Sequence, residues 1–571
     1  MHREKYEAAD PAVAATVRHS SLEAWIGARA KEIGDLSGWR RYASGIAAGA
    51  VSVLAMPPFF LWPVLLITLP VLVWLIDGTS PDSARLGRRV DFDRKRLLLA
   101  GAAGWCFGFG FHVAGLYWLR EAFLVTGGGL AMLWPLGVLG LPAYLAIYHG
   151  LAAAAAFALA PAGLKRVAAL AMALGMSEWL RGHAFTGFPW NVLGMAMTGP
   201  LTLMQSAAVL GIYGLTVVVV VMTAGPGVAL ATSRGAASAG YRTVAAALLA
   251  APLAAMLAYG ALRLRSAPPP FVEGVRLRLV QPSIPQREKW LAEKQPDFIA
   301  RHIELMKRGP DGNTQGMAGI THVIWPEAAM PFLPLQRPQV LAAIGEALPD
   351  GVHLMAGILR MERRSAPGIP PEAGTNDDYR VFNSFAVFAD DGRPISVYDK
   401  THLVPFGEYL PFQGLLEGIG LSSLTRQRGG FAIGPSPRPL LEIPGLPGVG
   451  PLICYEAIFP GTAAMSVQRP HVLINATNDG WFGNSTGPRQ HLHQSRLRSV
   501  EDGLPLLRVA NNGITAVYDA YGRELARIDL DVAGVIDTGL PGRIHPPVYA
   551  RLGDMVFMGL CIFIFALLMV V

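Results

Sequence analysis

The sequence predicts a membrane α-helical bundle of about eight transmembrane helices joined to one α/β domain, and three observations predict it. The chain is 52 % hydrophobic and only 16 % charged, whereas soluble domains run to about 25 % charged. The apolar excess is uneven, filling residues 43–262 and 552–571. Between them, short β-branched runs alternate with helical patterns, as in a layered α/β unit. The same composition excludes a disordered chain and a disulfide scaffold.

Taken in order, residues 1–42 form a polar tail without the apolar core of a signal peptide. A hydrocarbon layer about 30 Å thick needs about 20 apolar residues per helix. Segments near that length centre on 43–59, 61–76, 98–119, 129–160, 167–180, 207–230, 244–262 and 553–571. The first two are short and separated by Pro57 and Pro58, which suits a tight hairpin; the fourth is long enough to tilt or to break at Pro142. Gly104-x-x-x-Gly108 reads as close helix packing.

The positive-inside rule sets the orientation. With a cytoplasmic N-terminus, the inner loops hold Arg85, Arg88, Arg89, Arg94, Lys95, Arg96, Lys165, Arg166, Arg234 and Arg242, and the short outer loops hold Arg120 and Arg181. Ten against two is a clear asymmetry. The net charge of +7 is then a topology signal, and no basic stripe with interleaved aromatics marks a nucleic-acid partner. The expected organisation is a tail (1–42), a seven-helix membrane domain (43–262), a soluble domain outside the inner membrane (263–551) and a last transmembrane helix (552–571). The segment 178–190, EWLRGHAFTGFPW, falls on the same side as that domain. Its aromatics suit either an interface belt or a lipid-facing wall of a substrate cleft.

Ser266-Ala-Pro-Pro-Pro reads as a stiff linker. Strand patterns follow at 275–280, 322–325, 353–358, 382–388, 395–398, 451–454, 472–476, 506–510 and 515–518, with helical patterns at 298–307, 338–347 and 490–501. The Pro-, Gly- and Arg-rich stretch 361–379 reads as a mobile loop.

Three strand patterns end in reactive residues: HVIWPE at Glu327, ISVYDK at Lys400 and PLIC at Cys454. Sites of α/β sheets gather beyond the carboxyl ends of strands, so a carboxylate, an ammonium and a thiol can converge there. A thiol attacks as thiolate, which a nearby cation favours. A carboxylate within reach can take its proton and return it, and an ammonium can stabilise an oxyanion. Of the three cysteines, Cys106 and Cys561 sit inside apolar runs, leaving Cys454 alone in the soluble part. Spacing does not prove convergence. Taken singly, Cys454 suits a buried core position, Glu327 a turn cap and Lys400 a solvated charge.

The flanking motifs go further. WPEAAMPF, YDKTHLVPFGEYLPF, ICYEAIFP and NDGWFGNSTGPRQH resemble those of the carbon–nitrogen hydrolase (nitrilase) superfamily, with its Glu-Lys-Cys triad. Together with the apolar segments, the chain is similar to the membrane branch of that superfamily, the apolipoprotein N-acyltransferases. The resemblance implies a nitrilase-like α-β-β-α sandwich, with Glu327 as general base, Lys400 as oxyanion stabiliser and Cys454 as nucleophile. It also implies supporting roles for Glu408, Tyr455 and Glu456, and for Trp290 on an arm over the site. The implied reaction moves an acyl chain from a glycerophospholipid, through a Cys454 thioester, to the α-amino group of a diacylglyceryl-cysteine apolipoprotein. That is the last step of bacterial lipoprotein maturation. The implied partners are therefore phospholipid and apolipoprotein, with a monomer as the default state. Arg489 and Glu501-Asp502 follow the family only loosely.

Other patterns carry less. Phe332, Leu333, Leu415, Leu416 and Trp481 suit a dry acyl path or plain core packing. His491 and His493 lack a third ligand at metal-site spacing, and Gly445-x-x-Gly448-x-Gly450 lacks the setting of a nucleotide loop, so no cofactor is expected. Two competing readings are a membrane-tethered amidase or nitrile hydrolase and a transporter with an external binding domain. The amidase leaves the helices only an anchoring purpose. The transporter lacks a string of intramembrane acids.

Overall fold

The computed structural model describes residues 11–79, 93–126, 128–232, 238–310, 316–363, 379–409, 411, 430–461 and 466–570. Most of the stretch 361–379, the basic cluster Arg85–Arg89 and the pair Leu415 and Leu416 lie outside the described residues.

Each apolar segment contains a helix. Four helical spans are long and apolar enough to cross a membrane: Arg94–Gly115, Ala131–Leu159, Ala207–Thr232 and Ala239–Leu264. Trp62–Asp77 and Met555–Val570 are apolar but shorter. Gly38–Ser52 is shorter still, and Leu164–His183 carries Lys165, Arg166, Glu178 and Arg181 within its length. The structure therefore supports four spans by length and composition, and the figure of eight rests on the sequence.

Helices Gly38–Ser52 and Leu65–Asp77 lie against each other, with the Ser52 hydroxyl donating to Thr68 Oγ1 at 2.7 Å. The helix Trp134–Leu159 runs through Pro142 without a break. A kink does occur at Gly211 (φ 61°), inside Ala207–Thr232, where the ring of Tyr549 fills the space a Cβ would need. The Gly104/Gly108 motif is a packing device: a Cβ on Gly104 would stand 2.4 Å from Ala153 Cβ, and one on Gly108 2.7 Å from His149 Cβ.

The rest of the chain forms eleven strands among the described residues: β1 (Phe271–Gln281), β2 (His322–Ile324), β3 (His353–Arg363), β4 (Tyr379–Phe388), β5 (Pro394–Asp399), β6 (Val449–Ile453), β7 (Val472–Thr477), β8 (Leu506–Ala510), β9 (Thr515–Tyr518), β10 (Glu524–Ile528) and β11 (Gly534–Pro541). They make a six-stranded sheet in the order β11-β1-β2-β3-β4-β5 and a five-stranded sheet in the order β10-β9-β8-β7-β6. Side chains alternate faces along a strand, and this alternation builds the layers. Leu277, Leu279, Met355 and Phe385 from one sheet meet Ile453, Ile474, Leu507 and Val517 from the other. On the outer face of the first sheet, Leu354, Ala356 and Ile358 pack on the helices Gln295–Lys307 and Pro338–Ala347. On the outer face of the second, Leu473 and Leu506 pack with Leu492 of the helix Gly487–Asp502. The result is an α-β-β-α sandwich.

β10 and β11 carried no strand pattern in the sequence. Both are outer strands of their sheets. An edge strand pairs on one side only and tolerates charged residues, so ELARI shows no clean apolar alternation, and GVIDTGLP is broken by Gly and Pro.

Candidate active site

Glu327, Lys400 and Cys454 each follow a strand end, and the sandwich brings all three together. Glu327 lies in the turn after β2, next to Ala328, whose φ is 46°. The Lys400 N–H donates to the Asn383 carbonyl at 2.9 Å, continuing the β4–β5 ladder. Cys454 begins the short helix after β6 with φ 51°. A left-handed conformation costs a non-glycine residue about 1–2 kcal/mol, and such strain gathers at functional positions.

The charges interlock. Lys400 Nζ donates to Glu408 Oε1 at 2.8 Å and stands 3.8 Å from Glu327 Oε1. Asn383 Nδ2 bridges the two carboxylates, donating to Glu327 Oε1 at 2.9 Å and to Glu408 Oε1 at 3.0 Å. Burial opposes the Lys400 charge, but Glu408, Glu327 and Cys454 outweigh it and hold the ammonium protonated. Burial pushes the Glu327 carboxyl up, against the pull of Lys400. Burial and the facing Glu327 push the Cys454 thiol well up, and Lys400 offsets this only in part. The thiol thus faces the carboxyl that the family resemblance gives as its base.

The supporting residues separate into three kinds of place. Glu456 is fully buried. Its Oε1 accepts from Thr401 N–H (2.9 Å), His402 N–H (3.0 Å) and the Tyr398 hydroxyl (2.7 Å), and its Oε2 accepts from Ile453 N–H (2.7 Å). One carboxylate thus ties the turn after Lys400 to the turn of Cys454. Arg438, 3.7 Å away, helps hold it ionised against burial. Tyr455 donates through its hydroxyl to the Gly187 carbonyl at 2.9 Å, reaching the segment between membrane helices. Trp290 is 46 % exposed on the arm after β1.

The segment 178–190 belongs to the site's wall more than to a belt. Trp190 is buried, packed with Trp118, Tyr455 and Phe459. Arg181 donates to the carbonyls of Phe188 (2.7 Å) and Trp190 (2.8 Å), while Glu178 accepts from Leu193 N–H (2.9 Å). His402 donates to the Thr186 carbonyl. Phe332 is buried in the outer helical layer, with Arg337 over its ring at 4.5 Å. That is core packing. Trp481 and Leu333 are half-buried.

Sequence reasoning missed several functional neighbours. Asn383 sits in mid-strand, where nothing marks it. The helix Gly487–Asp502 carries three more. The Gln490 side-chain oxygen accepts from the indoles of Trp118 (3.0 Å) and Trp190 (2.8 Å). His491 Nε2 donates to the Cys454 carbonyl at 3.1 Å, and its Nδ1 lies 2.8 Å from Asp479 Oδ1. His493 pairs with Thr198 at 2.7 Å. Donor atoms of Cys454, Asp479 and His491 lie within 4.8 Å of one another, a spacing that admits a metal ion. However, Arg508 donates to Asp479 Oδ2 at 2.6 Å and lies 3.2 Å from His491 Nδ1. A fixed cation already engages two of those three residues. The signal that could have found His491 and Asp479 was their shared motif, NDGWFGNSTGPRQH.

Comparison with known proteins fits both halves. A family model described as the apolipoprotein N-acyltransferase N-terminal domain matches residues 48–225, and one described as carbon-nitrogen hydrolase matches residues 276–544. A Rhodopseudomonas palustris protein named apolipoprotein N-acyltransferase is 44 % identical over 518 residues, 91 % of this chain and 92 % of that one. A Bradyrhizobium diazoefficiens protein of the same name is 46 % identical over 518 residues, again 91 % and 92 %. Among solved structures, an amidase from Nesterenkonia sp. overlaps 51 % of this chain and 97 % of its own at 17 % identity and a TM-score of 0.31, a likeness that carries no argument.

Proposed function

We infer the activity from one premise: this chain belongs to the apolipoprotein N-acyltransferase family. It is an acyltransferase of the carbon–nitrogen hydrolase superfamily that N-acylates apolipoproteins. The amidase reading loses ground, since relatives matched along both halves share that name. The observation that carries the reading is a buried Cys454, on a strained turn, facing Glu327 and Lys400 beside a segment that joins membrane helices.

The reaction runs in two halves. As Cys454 Sγ attacks the ester carbonyl of a glycerophospholipid, Glu327 takes the thiol proton and Lys400 stabilises the oxyanion. Collapse breaks the ester C–O bond, Glu327 passes its proton to the leaving lysophospholipid, and the acyl chain remains as a thioester. The α-amino group of a diacylglyceryl-cysteine apolipoprotein then attacks the thioester. Glu327 takes a proton from that nitrogen, the C–S bond breaks, and the thiol is restored with an amide as product. Ping-pong kinetics follow.

Glu408 and Asn383 hold Glu327 and Lys400 in register, Glu456 fixes the turns that carry Lys400 and Cys454, and Tyr455 ties the nucleophile turn to the membrane part. Trp290 covers the approach. We place the helices 43–262 and 552–571 in the bacterial inner membrane, with residues 263–551 on the periplasmic face. The loop charge asymmetry supports this, and both lipid substrates then reach the thiol from one leaflet.

The test is direct. The purified chain is incubated in detergent with an alkyne-tagged phospholipid. The label is expected on Cys454, removable by neutral hydroxylamine and missing in Cys454→Ala. Absence of label in the wild-type chain contradicts the reading.

A further inference from the structure

Lys289 is the least expected charge in the site. It neighbours the exposed Trp290, yet its own side chain is only 1 % exposed. Its Nζ donates to the backbone carbonyl of Glu327 at 3.0 Å. The arm that carries it is latched to the other sheet as well: Ile284 N–H donates to Asn511 Oδ1 at 3.1 Å, and Gln286 Oε1 accepts from Asn478 Nδ2 at 2.8 Å. The arm thus spans the site, with Lys289 at its Glu327 end.

Charge balance assigns the ammonium a purpose. Buried charges persist when they are paired. Glu456 has Arg438, and Asp479 has Arg508. Around the thiol stand two carboxylates, Glu327 and Glu408, and Lys400 alone cannot neutralise both. Lys289 is the fourth charge, and it makes the set neutral with the thiol protonated. The set stays neutral when the proton moves to Glu327 and the negative charge moves to an oxyanion.

We propose that Lys289 is a positioning residue for acyl-enzyme formation: it clamps the Trp290 arm to the Glu327 turn and supplies the cation that keeps Glu327 ionised and the oxyanion balanced. This rests on the acyltransferase reading above. The groups facing it are Glu327 after β2, Cys454 after β6 and His302 on the helix Gln295–Lys307, with Arg301 acting on His302; Lys400 and Glu408 act on Glu327 from the turn after β5. Burial holds His302 at about 3, neutral. Burial lowers Lys289 to about 8, with Glu327 and Cys454 opposing. Its charge is therefore lost as pH rises through about 8.

The experiment measures the rate of acyl label reaching Cys454 against pH, in the full chain in detergent. The wild-type profile is expected to fall on the alkaline side as pH rises through about 8, and a flat profile there overturns the proposal. Lys289→Met removes a cation facing Glu327, so the acid-limb midpoint moves up by about one pH unit, a loss of about tenfold below it. A folded Lys289→Met chain with an unmoved midpoint overturns the proposal. Lys289→Arg keeps the cation at every pH, so its acid limb stays in place and its alkaline fall moves upward. Retention of the wild-type alkaline fall in that variant also counts against Lys289. A wild-type chain that takes no acyl label at all refutes the acyltransferase reading itself, and the two failures are thereby distinct.

Discussion

Glu456→Gln is the most informative perturbation of the site's frame, because it changes charge and not size. The carboxylate accepts on both oxygens: Oε1 from Thr401, His402 and Tyr398, Oε2 from Ile453. An amide keeps one acceptor and turns the other into a donor. Keeping Oε1 is the smaller loss, and it leaves the Ile453 N–H facing an NH₂ group in a fully buried place. One stranded buried N–H costs about 1–3 kcal/mol. Loss of the charge also strands Arg438, and breaking a buried ion pair costs about 3–5 kcal/mol. The two overlap, so the expected total is about 3–5 kcal/mol.

At about 2–4 °C per kcal/mol, the thermal midpoint of the purified chain should fall by roughly 6 °C or more. Because Glu456 joins the turns of Lys400 and Cys454, acyl-enzyme formation at a temperature where the variant is still folded should also slow. Differential scanning fluorimetry in detergent reads the first quantity and alkyne-phospholipid labelling the second. A Glu456→Gln chain with the wild-type midpoint and full labelling rate would refute the claim that this carboxylate frames the site.

Further expectations concern the chemistry and the membrane junction. Glu327→Gln should abolish labelling of Cys454 while leaving the thermal midpoint within a few degrees, since the amide still accepts from Asn383. In the wild-type chain, the acid limb of labelling should lie above the ordinary glutamate range, because burial raises the Glu327 carboxyl; a limb at or below that range contradicts its burial-tuned role. Glu456 and Asp479 are held below their ordinary values. Their folded pKa is depressed, so the stability they add is present above the unfolded pKa and is lost as pH falls through the folded values. Acid unfolding monitored by tryptophan fluorescence should therefore begin only below the ordinary carboxylate range. Gln490→Leu strands the indole N–H groups of Trp118 and Trp190, at about 1–3 kcal/mol each, and a lowered thermal midpoint checks it.

The sandwich was legible because nine of its eleven described strands, the edge strands β5 and β6 among them, show in the sequence as short β-branched runs. The three reactive residues were legible because each closes such a run. β10 and β11 were not, since ELARI carries two charges in five residues and GVIDTGLP is interrupted by Gly and Pro. Asn383 gave no signal, because a polar residue in a strand more often faces solvent. Lys289 read as one charge among several in QREKW, and only the folded arm turns it inward. Gln490 meets Trp118 across 372 positions, a distance no local pattern reports. Lys400 favours a thiolate only in part, because Glu408 already engages it and burial dominates.

The central claim is that Cys454 holds the acyl chain as a thioester and yields it to an amine. A single-turnover chase tests it most directly. The chain is labelled with alkyne-phospholipid, freed of donor, and mixed with a synthetic diacylglyceryl-cysteine peptide. Mass spectrometry should show loss of the label from Cys454 matched by its appearance as an amide on the peptide's α-nitrogen. Label that stays on the protein, or leaves as free fatty acid at the same rate with and without peptide, would contradict the account.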